Sequence, residues 1–227
     1  MIRNASLIIL IFLISSCGGS NKKPFMPDST RWTDQDIPLD ELPTGNVNTD
    51  SIERADKMRQ MFPPGDSLIE GRPVSFYLQR SDISQTAKEF YLQRYTPIST
   101  DSKTVALCDS LLTKNDTTRS FYFFLFMRLS RLDPDEFGDL LPRYADQYSL
   151  TFVDEFYRRI ALPQYRWSYS TWVADVGSFE SVGKSSSPDE VRQHVIQLQM
   201  TNAKRLTLNL KKEIQNFADS VAQWVSK

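Results

Sequence analysis

The stretch "RSFYFFLFMRLSRL" at residues 119–132 decides the fold. At helical spacing Phe121, Phe124, Leu125, Met127, Leu129 and Leu132 point in nearly every direction. A helix that is apolar all round belongs in the middle of a protein. A membrane span is excluded for it, because the unbroken apolar run stops at Arg128, far short of the roughly 20 residues that cross a bilayer.

Working outward towards the C-terminus, Asp133 and Glu136 form a capping-box pattern with Pro134 at the first helical position. Phe137, Leu140, Leu141, Tyr144 and Tyr148 trace one helical face, which Pro142, following Gly138, should kink or split. "TFVDEFYRRI" reads as a short helix ended by Leu162-Pro163. In "QYRWSYSTWVADVG", Tyr165, Trp167 and Tyr169 alternate with polar residues like a strand. Tyr165, Tyr169, Trp172, Val173 and Val176 nevertheless fit a helix over more length, with Gly177 in the C-cap position. "FESVGKSSS" reads as a loop. Ser187 and Glu190 make a second capping box, and apolar residues from Val191 to Trp224 recur at three- or four-residue steps. This predicts one long C-terminal helix, or two meeting near Asn202.

Towards the N-terminus, a helix "DSIERADKMRQMF" stops at Pro63-Pro64-Gly65, and an extended piece is expected near "RPVSFYL". Asp82 opens a helix "ISQTAKEFYLQRY", and another starts between Thr100 and Ser102 and carries Cys108. Val105, Cys108, Leu111 and Leu112 share its apolar face, so Cys108 is expected to be a buried packing thiol. The fold expected is all-α: an irregular helical bundle over residues 49–227, after a disordered tether.

The chain has 227 residues, 40% hydrophobic and 24% charged, with 14 Phe and only 8 Gly. Without its apolar start and the polar stretch that follows, roughly 175 residues remain, enough for one domain with its own core. With a net charge of -1, nothing in the composition suggests a nucleic-acid partner, which would favour a clustered basic face.

The apolar start is "LIILIFLISSCGG" at residues 7–19, preceded by Arg3. It is too short to span a bilayer and reads as a secretory signal over residues 1–16. Residues 17–48 are polar and broken by Pro24, Pro27, Pro38 and Pro43, which reads as a flexible tether. Trp32, with Ile37, Leu39 and Leu42, is unusual in a spacer: the segment is expected either to dock on the body or to bind a partner, with Trp32 the candidate partner-binding residue.

Ile14-Ser15-Ser16-Cys17 resembles the lipobox of bacterial lipoproteins. The resemblance implies a diacylglyceryl thioether on Cys17, cleavage before it and acylation of the new amine. Two or three acyl chains hold a protein at a membrane almost permanently. Gly18 stands where an inner-membrane retention signal would have Asp. The resemblance therefore implies the outer membrane of a Gram-negative cell, and Lys22 and Lys23, without the acidic residues that some lineages use for export to the cell surface, imply a protein facing the periplasm. "CDSLLTKNDTTRSFYFFLFMRL" in the body resembles helical envelope lipoproteins of unassigned function.

Little in the body reads as chemistry. His194 is the only histidine and Cys108 the only thiol left beside Cys17, so zinc constellations are absent and no disulfide is expected within the mature chain. Asp34, Asp36, Asp40 and Glu41 lack the spacing and glycine of a calcium loop. No Ser lies in a G-x-S-x-G elbow, and "GKSSS" lacks the upstream glycine of a phosphate loop. No metal or cofactor is expected. Asp175 and Glu180 are the pair that a cell-wall glycosidase would need. Arg166 and Trp167, in "YRWSYSTW", are candidates for a binding surface. The expected function is therefore non-enzymatic: a lipid-anchored scaffold or protein-binding module of the envelope. An immunity protein against a periplasmic toxin and a carboxylate glycosidase are the alternatives.

Overall fold

The computed structural model describes residues 52–53, 55–57, 60, 68–132, 136–182 and 187–227, within one compact unit, Asn46–Lys227. Cys17, the signal, the tether with Trp32 and the start of the box at Asp133-Pro134 lie outside the described residues. The described positions between Ile52 and Gln60 are helical. Among the described residues the architecture is all-α, with one two-stranded ribbon of two residues per strand.

That ribbon pairs β1 (Leu68–Ile69) antiparallel with β2 (Arg72–Pro73). Its turn places Glu70 at φ 48° and Gly71 at φ 80°. Two successive positive φ values match the twist of a tight hairpin. The extended piece expected near residues 72–78 is only β2, since α1 (Val74–Leu78) is helical with Pro73 at its N-cap. Five residues are too few to show a helical period.

Helix α2 (Gln85–Tyr91) is capped by Ser84, whose hydroxyl accepts the Ala87 N–H at 3.2 Å. Asp82, expected to open the helix, is instead held by Arg80 at 2.6 Å and Asn115 at 3.1 Å. The helix also ends before Arg94. Gln93 adopts φ 60°, its N–H donating to the Phe90 carbonyl while that of Arg94 donates to Glu89. That is a Schellman closure with Gln in the left-handed position. Helix α3 (Ser102–Asp109) starts at Asp101, which caps Lys103 N–H at 2.9 Å, and runs into a 3-10 turn, Ser110–Leu112.

Helix α4 (Asp116–Leu132) is the central element, with Phe121, Phe123, Leu125, Leu129 and Leu132 fully buried. Residues 136–140 form a turn, and α5 (Leu141–Thr151) begins there with Pro142 in its first turn, so the proline splits the expected helix. Phe152 separates α5 from α6 (Val153–Ile160). A 3-10 turn (Arg166–Ser168) leads into α7 (Tyr169–Ser181). The core converges on Trp172 of α7, which lies 5.8 Å from Phe123, 5.5 Å from Phe126, 5.7 Å from Tyr148 and 5.1 Å from Phe156, centroid to centroid. Such aromatic contacts add about 0.5–1.5 kcal/mol each beyond the area they bury.

Two expectations about α7 are corrected. Gly177 is inside the helix, and the position is glycine because a Cβ there would come within 2.6 Å of the Trp224 ring. The helix runs on through Phe179 and Glu180, where the sequence predicts a loop.

The C-terminal segment is two helices, α8 (Pro188–Asn202) and α9 (Leu208–Val225), folded back on each other. The Ser187–Glu190 capping box starts the first as expected. The break is fixed from outside: Asp154 accepts the N–H groups of Lys204 and Arg205, at 2.7 and 3.3 Å. Thr207 then caps the second helix at Leu210 N–H. Among the described residues no helix is long and apolar enough to cross a membrane.

Candidate functional site

Among the described residues, clefts of differing chemistry open beside α4 and α7. The first lies among α1, α4 and α6 and is lined by Glu70, Arg72, Tyr77, Asp116, Thr117, Ser120 and Arg158, in about 240 Å³. Beneath it is a buried ion network. Arg159, with no exposed surface, donates to Glu70 at 2.6 Å and to Ser120 at 2.9 Å, and pairs with Glu155 at 3.0 Å. It also reaches the Tyr148 hydroxyl. Arg119 is paired with the same Glu155 and lies 3.9 Å over the Phe152 ring. Burial raises the pKa of Glu155, but the Arg119 hydrogen bond and the Arg159 and Arg119 charges outweigh it and hold the carboxyl below its usual range. Each charge is compensated, so the network reads as a structural tie between the ribbon and α6.

The second cleft, about 430 Å³, is lined by Tyr157, Ile160, Ala161, Arg166, Tyr169, Glu213 and Asn216, from α6, the start of α7 and α9. Arg166 is thus a cleft residue, and Glu213 lines the same cleft.

The third cleft, about 330 Å³, is lined by Ser130, Phe137, Gly138, Leu141, Ser170, Thr171, Ala174 and Asp175. Phe137 and Leu141 are buried and make an apolar wall. Asp175 is half-buried, and no described residue gives its carboxylate a hydrogen bond or an ion pair. Burial pushes its pKa up to about 7. An uncompensated carboxylate beside an apolar wall is costly to keep, and such groups concentrate at functional sites.

Around Asp175 the surface is aromatic. Thr171, Asp175 and Phe179 follow at four-residue steps along α7, which keeps neighbours on one side of the helix, and Trp167 stands four residues before Thr171, in the 3-10 turn that leads into it. Trp167 is 38% exposed and Phe179 39% exposed, large apolar residues on either side of the carboxylate along the chain. Arg131 lies 4.2 Å over the Trp167 ring, and its neighbour Ser130 lines the cleft, so both features adjoin the C-terminal end of α4.

The sequence candidates separate accordingly. Trp167 is exposed at the surface, whereas Arg166 lines the second cleft. Asp175 and Glu180 are on one helix and do not line the same cleft. Glu180 is buried and its Oε2 lies 2.9 Å from His194 Nδ1 on α8. Cys108 is fully buried, and burial pushes its thiol up to about 12. Among the described residues no group of three His, Cys, Asp or Glu side chains is placed to hold a metal ion.

Sequence reading missed Phe179, hidden in the supposed loop, and the Arg159 network. A signal for the latter existed: Arg159 lies three residues after Phe156 and beside Ile160, in a buried stripe where an arginine needs partners. No protein-family model, curated protein or solved structure was found to match the chain.

Proposed function

We propose that this chain is a lipid-anchored protein of the Gram-negative envelope that works by binding another protein through the exposed side of α7. The anchor rests on the lipobox at Cys17. The binding face rests on one observation: two exposed aromatics, Trp167 and Phe179, stand before and after Asp175 along the chain, and its carboxylate has no partner among the described residues. Buried or half-buried aromatic anchors carry most of the energy of protein interfaces. The paired-carboxylate alternative gains no support from geometry, since Asp175 faces a cleft that Glu180 does not line.

Photo-crosslinking in the native envelope tests the reading. A photoreactive residue at Thr171 should capture one dominant protein, whereas the same residue at Lys212, on α9, should not. Equal capture at both positions, or none at Thr171, would sink it. The anchor is tested separately by metabolic labelling with a fatty acid, which Cys17→Ala should abolish.

A further inference from the structure

The geometry points to a defined chemistry for the partner: we infer that the Asp175 cleft receives a lysine or arginine side chain from a protein segment that lies across Trp167 and Phe179. This rests on the reading above and sharpens it.

The cleft contains one charge, Asp175, and Phe137, Leu141 and Ala174 around it are apolar. Serine and threonine hydroxyls at Ser130, Ser170 and Thr171 supply the only other polar side chains, and Ser130 is already committed, donating to the Met127 carbonyl at 3.0 Å. About 330 Å³ is near the lower end of the range for ligand pockets, so it suits one side chain better than a large molecule. The carboxylate is the complement of a cation, and the apolar wall is the complement of the methylene stem that lysine and arginine carry behind their charge. Desolvating the cleft under a partner strengthens that pairing. A free small amine would use the carboxylate but not the two exposed aromatics, Phe179 four residues further along α7 and Trp167 in the turn before it, which suit the residues flanking a basic side chain.

Charges on neighbouring elements do not neutralise the site. Arg131 on α4 is engaged over the Trp167 ring. Glu136, before α5, accepts the Ser99 N–H at 2.9 Å, and Asp139 is exposed. No other titratable side chain is among the cleft's described lining. Occupancy by a cation should therefore weaken as pH falls through about 7, where Asp175 takes up its proton.

The test is selection of a phage-displayed random-peptide library on the immobilised full-length chain above pH 7, followed by titration of the synthesised winners. Winners should share a Lys or Arg flanked by apolar or aromatic residues. Asp175→Asn should weaken them by about 30-fold or more, the usual penalty for removing one member of a desolvated charge pair. Trp167→Ala and Phe179→Ala should each weaken them too. No enrichment, or winners without a basic residue, overturns the inference. Displacement of the winning peptide by spermidine at matched concentration also overturns it, in favour of a free-amine pocket. If Asp175→Asn has no effect while Trp167→Ala and Phe179→Ala do, the cation falls and the binding face stands. Winners indifferent to all three substitutions remove both.

Discussion

The Glu70 carboxylate accepts a hydrogen bond from Arg159 Nε at 2.6 Å across 89 residues of chain. Glu70 reaches it from a left-handed turn position, φ 48°, that few residues other than glycine, asparagine or aspartate favour. The same carboxylate pairs with Arg158 at 3.2 Å and accepts from the Ser120 hydroxyl at 3.1 Å. A strained turn residue is thus tied to α4 and α6 together.

Glu70→Gln keeps the shape of the side chain but removes the charge facing Arg159, whose side chain has no exposed surface. Breaking a buried pair from one side costs about 3 kcal/mol. Urea denaturation should show a loss of that order. Glu70→Gly relieves the backbone by about 1 kcal/mol yet should still be less stable than the parent. A Gly variant more stable than the parent would show that turn strain outweighs the network.

Glu155 gives the network a pH signature. Its folded pKa is below the unfolded value, so its contribution is present above the unfolded pKa and lost as pH falls through the folded one. Stability should therefore decline on the acid side, below about pH 4. Glu155→Gln should lower stability at neutral pH and flatten that acid decline. An unchanged acid limb in thermal melts across pH would reject the assignment.

Gly177 shows a conflict between local and tertiary preference. Alanine is favoured over glycine inside a helix by about 1 kcal/mol, but its Cβ would stand 2.6 Å from Trp224 Cε3. Gly177→Ala should destabilise the parent, by about 1–3 kcal/mol as in other overpacked sites. In a Trp224→Leu background the same change should stabilise instead. A double-mutant cycle without that reversal of sign would remove the close contact as the reason for the glycine.

Cys108 should be inert in the folded protein. Its side chain is fully buried, and burial raises the thiol to about 12, so it stays protonated through the physiological range. A thiol-specific reagent should label it only after denaturant is added. Labelling at the native rate of a free thiol would mean that α3 opens locally.

What the sequence made legible was chemistry that is local. The phenylalanines of 121–126 mark α4 as buried whatever surrounds it, and Ser187 with Glu190 closes its cap within four residues. What escaped was decided by contacts distant in the chain. Gly177 looked like a helix end because its reason, Trp224, lies 47 positions later (224 − 177). That misreading put Glu180 and Phe179 in a loop and concealed the aromatic step from Trp167 to Phe179. The end of α2 was hidden differently, because Gln93 fills a left-handed position usually given to glycine. The Asp175 cleft needed α4, α5 and α7 together, and no single segment of sequence spells it.

Asp175 links stability to binding, and the sign of its effect is opposite to that of Glu155. Burial raises its folded pKa to about 7, above the unfolded value. The stabilising contribution is then complete below the unfolded pKa of about 4 and is lost as pH rises through about 7. Above that the folded protein holds a carboxylate that would be better solvated in the unfolded chain. Asp175→Asn has nearly the same shape and no charge, so it should stabilise the protein above pH 7, by about 1–2 kcal/mol after allowance for solvent reaching the half-buried group. It should change little at pH 4. Melts of parent and variant at the two pH values measure this directly, and equal curves at both would mean that water already compensates the charge. A variant that is more stable but binds the selected basic peptides less well would show the trade of stability for function at one atom pair, the Asp175 carboxylate oxygens.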